Sequence, residues 1–80
     1  GKPSSRFFEA ALGRLGVAAD EAVMVGDDVR SDVGGAREAG LAGVLVRTGK
    51  FREADLRGDI RPDGVIDSVA ELPDWLDAPR

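Results

Sequence analysis

The stretch VMVGDDVRSD, Val23 to Asp32, places three carboxylates, Asp27, Asp28 and Asp32, within six positions, directly after an apolar run and a glycine. Like charges so close repel unless a cation sits among them. Hard oxygen ligands of this kind suit Mg²⁺, which takes one or two protein carboxylates and keeps several waters. Gly26 lets the chain turn sharply as it leaves the run. Asp32 falls in the first turn of the helix that follows, where the helix dipole favours a carboxylate. The spacing can therefore bring Asp27 and Asp32 to one locus from a loop and a helix start. Gly-Asp-Asp is also a common turn, and an Asp ahead of a helix is a common cap. The residues alone leave an ion site and a purely structural cluster both open. The spacing is not that of an EF-hand, which needs alternating ligands and a closing Glu.

Two other segments bear on this chemistry. Lys2, in GKPSSRFF, precedes Pro3 and a helix start. Alone it reads as a solvated charge; beside an acidic site it could neutralise a carboxylate or hold a phosphate oxygen as a point charge. RTGKF, Arg47 to Phe51, follows a second apolar run. It lacks the glycine spacing of a phosphate-binding Walker loop, and reads either as the rim of a site or as an ordinary strand exit.

The elements that must position these residues follow from periodicity. Phe7, Phe8, Ala11, Leu12 and Leu15 recur at helical spacing and predict a helix over Ser5–Leu15, ended by Gly16. Ala22–Val25 is too short for a helix and reads as a strand buried on both faces. Ser31 is the expected cap of a second helix, Asp32–Ala39, which Gly40 ends; Gly34 and Gly35 within it imply close packing against a sheet. Val44–Val46 is a second strand. Arg47–Asp63 reads as a long loop with a helical turn near Glu53–Arg57, and Gly64–Ile66 as a third strand. Ser68 with Glu71 has the form of a capping box, and Pro73 suits the start of a turn that docks Trp75 and Leu76. Strands alternating with helices imply parallel pairing. Sites on such sheets lie at the carboxyl ends of the strands, where the aspartates stand.

Composition narrows the function classes. Eighty residues make one small domain, burying roughly 60% of its unfolded surface. Hydrophobic residues at 42% and charged residues at 32% mark a globular chain. With no cysteine and no histidine, thiolate and imidazole chemistry are excluded within it, and a cytoplasmic setting is expected. A net charge of −4 with scattered basic residues argues against a nucleic-acid footprint. No apolar stretch reaches the ~20 residues of a membrane span, and GKPSSRFF has no secretory pattern.

Taken together, GKPS, the helix ending near LGV, VMVGDDVRSDVGGAREAGLAGVLVRTGKF and PDGVIDSVAELPDWL resemble the C-terminal third of a haloacid dehalogenase-like (HAD) phosphatase. The branch is one with a large cap domain that includes the p-nitrophenyl phosphatase type. The resemblance implies a partial HAD-like, Rossmannoid core, an α/β fold of three α/β/α layers with a short parallel sheet. Residues 1–80 would be the C-terminal part of that core, with the cap and its N-terminal half outside the chain. It implies that Lys2 holds the nucleophile and the transferring phosphoryl group, that Asp27 ligates Mg²⁺, and that Asp28 and Asp32 bind the ion through water or orient its shell. The reaction implied is hydrolysis of a small phosphate ester or phosphoamide through an aspartyl phosphate. The family's nucleophilic Asp-x-Asp occurs nowhere in this chain, so the 80 residues alone are expected to be inactive. The strand Ala22–Val25 would pair on one side with Val44–Val46. Its other side would be bare, and self-association through that edge is expected. A non-catalytic interaction module with an incidental acidic cluster is the alternative.

Overall fold

Phe8 and Leu12 stand four residues apart on one helix face, and both are buried in the computed structural model, which describes residues 5–79. They belong to α1, Ser5–Leu15, which ends at Gly16 with φ 72°. A single 3₁₀ turn, Ala19–Glu21, leads into β1, Val23–Gly26. A π-helical turn, Val29–Gly34, runs directly into α2, Gly35–Glu38, and Gly40 (φ 91°) reverses the chain. Next come β2, Ala42–Val46, a 3₁₀ turn at Glu53–Arg57 and β3, Gly64–Ile66. A last 3₁₀ turn, Val69–Glu71, capped by Ser68 Oγ accepting from the Ala70 N–H at 3.0 Å, precedes α3, Leu72–Asp77, with Pro73 in its first turn.

The sheet is parallel throughout, in the order β1-β2-β3, with Val25 opposite Val44 and Val46 opposite Ile66. Alternation along the strands divides the core into two layers. Met24 faces α1 and α2, where Phe8, Leu12, Ala36 and Leu41 pack. Val23, Val25, Val44, Val46 and Ile66 face α3 and meet Leu72 and Trp75. Gly43 lies under the second helical segment: a Cβ there would come within 3.2 Å of Val33 Cα and the Val33 carbonyl oxygen. Val33, Val44 and Leu45 are the largest fully buried side chains among the described residues. The result is the expected α/β arrangement with helices on both faces of a short parallel sheet.

Three expectations change. The second helix starts at Val29, not Asp32, and its cap is Asp28, not Ser31. Asp28 is extended (φ −107°, ψ 108°) and its carboxylate accepts from the N–H groups of Arg30 and Ser31, so the cap sits one turn earlier. Its carbonyl accepts from both Asp32 N (2.9 Å) and Val33 N (3.4 Å), which widens that turn. Second, β1 is half-buried along its whole length instead of buried on both faces, because as the edge strand it has one neighbour. Third, the close approach to the sheet is made at Gly43; Gly34 packs against the Ile60 side chain, 3.2 Å from where its Cβ would stand.

Candidate functional site

The carboxyl end of β1 delivers Asp27 and Asp28 into the loop before the second helical segment. Each aspartate then takes a different partner. Asp27 Oδ2 accepts from the backbone N–H of Lys50 at 2.9 Å, across 23 residues of sequence. Among the described residues its other oxygen has no hydrogen-bond partner. Asp28 Oδ1 accepts from Arg30 N and Ser31 N, both at 3.1 Å. These bonds hold the Asp28 carboxyl below its usual range. The Ser31 N–H contributes most, the Ser31 hydroxyl, Arg30 N–H and Lys50 charge add to it, and partial desolvation opposes them. Asp32 Oδ2 accepts from Asp28 N at 3.1 Å. Its carboxyl group lies against Gly26, in the space that a side chain at Gly26 would need.

The structure thus places all three aspartates around the exit of β1 but does not converge them. Among the described residues, no group of three or more acidic side chains is arranged to hold a metal ion by itself. The donor set fits a hard cation in part. Among the described residues Asp27 offers an unpartnered oxygen, Asp32 is folded back over the strand end, and Asp28 is committed to the cap. Lys2 lies outside the described residues.

The opposite rim of this locus is the turn after β2. Arg47 N donates to Ile66 O, and Phe51 N closes a four-residue turn onto Thr48 O at 2.8 Å. The Arg47 guanidinium lies 5.8 Å from the Phe51 ring centroid, and its Nε is 3.6 Å from Asp67. Gly49, with φ 47°, presses against the Asp27 carboxylate, where a Cβ has no room. RTGKF therefore borders the Asp27 carboxylate, through the Gly49 backbone and the Lys50 N–H. That Gly49 and the Lys50 amide serve Asp27 was not legible, because the contact is made only when two distant strand ends meet. The one local signal was a glycine directly before the lysine.

Asp63, unflagged by sequence, ties the far end of the sheet. Its Oδ1 pairs with Arg37 Nη1 at 2.7 Å and its Oδ2 accepts from Gly43 N at 2.8 Å. Near it, Asp20, Glu21, Val23, Ala42, Trp75 and Leu76 border an open groove of about 570 Å³ at the amino ends of the strands, away from the aspartates.

Comparison with known proteins shows the family. A HAD-hydrolase-like family model matches residues 1–72. Rat phospholysine phosphohistidine inorganic pyrophosphate phosphatase is 49% identical over 77 residues, which are 95% of this chain and 28% of that protein. NagD from Escherichia coli K-12 superposes with a TM-score of 0.82 at 38% identity, covering 89% of this chain and 29% of NagD. The p-nitrophenyl phosphatase from Archaeoglobus fulgidus superposes at 0.81 and 32% identity, covering 94% and 31%. The chain thus spans under a third of the length of these relatives. With the family model matched over nearly its whole length and the sheet, helices and strand-end aspartates arranged as described, the chain belongs to the HAD-like hydrolase family.

Proposed function

We propose that this segment is the C-terminal part of the core of a Mg²⁺-dependent phosphatase and supplies that enzyme's phosphate-site lysine and ion-binding carboxylates. The observation that carries the reading is the Asp27 carboxylate, fixed through one oxygen by the Lys50 N–H at the carboxyl end of a parallel strand. Its second oxygen is unpartnered among the described residues. In this reading Asp27 ligates the ion directly. Asp32 and Asp28 hold the loop that carries it, Asp32 through the Asp28 N–H and Asp28 by capping the helix, and reach the ion through water. Lys2 holds the nucleophile and the phosphoryl group by charge. When bound, Mg²⁺ offsets the charge of the phosphoryl oxygens. The nucleophile is a carboxylate outside these 80 residues, since the chain contains no Asp-x-Asp.

The phosphatase activities of these relatives support a small phosphorylated substrate, an ester or a phosphoamide. No helix among the described residues is long and apolar enough to cross a membrane. The cysteine-free composition agrees with the cytoplasmic setting that belongs to the same proposal.

The test is turnover of p-nitrophenyl phosphate and of phospholysine by the full-length enzyme. Asp27→Asn should lower kcat by about 10²–10³-fold, the scale of losing one group that stabilises transition-state charge. Turnover at the parent rate would overturn the reading. The 80-residue chain alone should show no turnover above background; a rate near that of ordinary phosphatases, abolished by Asp27→Asn, would reveal a nucleophile within it.

A second reading is a non-catalytic interaction module. It is favoured by one observation: each of the three aspartates already accepts from a backbone N–H. An Asp-x-Asp following an apolar strand in the preceding coding sequence would decide against it.

A further inference from the structure

The turn that follows β2 is built around the Asp27 carboxylate. Phe51 N–H closes the turn onto Thr48 O, which makes Gly49 and Lys50 its central residues. Gly49 has φ 47°, and among the described residues none other than glycine has positive φ. Positive φ at the first central position and negative at the second is the pattern of a type II′ turn, which places glycine first. In such a turn the N–H of the second central residue is not used by the turn itself. Here it is the Lys50 N–H, and it donates to Asp27 Oδ2 at 2.9 Å. Gly49 answers a second demand: its α-carbon lies so close to the Asp27 carboxylate that a Cβ would collide with Oδ2. The base of the turn is tied to β3 by Arg47 N donating to Ile66 O at 2.9 Å. Arg47 also reaches Asp67 and the Phe51 ring.

We propose that the Thr48–Phe51 turn is a positioning device for the ion-binding carboxylate, in which the Lys50 backbone amide fixes one oxygen of Asp27 and leaves the other to the cation. This rests on the proposed role of Asp27. Gly49 and Lys50 are positioning residues, not catalytic ones. The amide does the work, and the Lys50 ammonium is dispensable to it.

The experiment measures binding of Mg²⁺ by calorimetry, and of Mn²⁺ as a spectroscopic stand-in, to the full-length protein and four variants. Gly49→Ala pushes the carboxylate aside, and Lys50→Pro removes the amide proton while its φ suits the second central position of the turn. Both should weaken ion binding by about 10- to 100-fold, as losing an outer-shell partner does, with metal-free melting temperatures near that of the parent. Lys50→Met keeps the amide and removes a positive charge, so ion binding should be at least as tight. Weakening by Lys50→Met and not by Lys50→Pro would overturn the proposal in favour of the ammonium. Parent-like affinity in both Gly49→Ala and Lys50→Pro, with Asp27→Asn weakened, would overturn the positioning role alone. Parent-like affinity in Asp27→Asn would overturn the role of Asp27 and the proposal together. A lowered metal-free melting temperature with unchanged ion affinity would reduce the turn to a structural element and also overturn it.

Discussion

Asp28 illustrates how one carboxylate is read twice by the same sequence. Its oxygen accepts from two successive backbone amides at the start of a helical segment, and those bonds favour the ionised form. A carboxyl with a lowered folded pKa binds its proton less readily in the fold than in the unfolded chain. The stability it contributes is therefore complete above the ordinary value of 3.8 and is lost as pH falls through the lower folded value. Asp28→Asn should retain most of the cap and flatten that acid limb of a melting-temperature profile. Asp28→Ala should cost about 0.5–2 kcal/mol in urea unfolding; a neutral outcome would show that the turn needs no cap. The sequence pointed to Ser31 as the cap, and the fold uses Asp28. The choice depends on which residue is extended when the chain leaves β1, a property of the strand exit and not of either side chain.

Between elements, Asp63 does what no local pattern announced. It joins α2 to the sheet through Arg37, and its side chain and main chain both bond Gly43, at 2.8 Å each. Asp63→Ala should cost about 1–2 kcal/mol, mostly from the Gly43 amide, because an ion pair this exposed contributes little. Arg37→Ala should cost less, and a larger loss from Arg37 would reverse the assignment. Gly43→Ala forces a Cβ against the backbone of Val33, and overpacking of this kind costs about 1–3 kcal/mol. The helix and strand elements themselves were legible: Ser5–Leu15, Gly64–Ile66 and the turn at Glu53–Arg57 fall where periodicity and composition put them. The glycines Gly16 and Gly40 take the positive φ expected after a helix. What was hidden is pairwise and distant: Gly43 under Val33, Asp63 on Gly43, Gly49 on Asp27. Each is a meeting of segments that only the parallel register fixes.

For the molecule as a whole, the sheet order leaves one side of β1 without a strand partner among the described residues, and Val23 to Gly26 are half-buried. Unpaired backbone groups on an apolar strand are a template for another chain. The isolated 80-residue chain should therefore self-associate through Val23–Gly26, and sedimentation should show dimers or larger species at high concentration. A stable monomer with rapid amide exchange along Val23 to Val25 would refute this. Mg²⁺ should raise its melting temperature slightly, by binding the native state alone. An unchanged melting point together with a stabilising Asp28→Asn would mean that the acidic cluster binds nothing at accessible concentrations.

The ring of Trp75 fills the space above Gly64 that a side chain would claim, and the sequence holds one tryptophan. The molecule thus carries a built-in optical reporter whose signal belongs to a single seam, where the last helix docks on the last strand. Its emission should shift when that seam opens and stay still when the aspartate loop alone rearranges. Far-ultraviolet dichroism and tryptophan emission recorded on one sample would therefore separate fraying of the C-terminal helix from loss of the sheet, without any label.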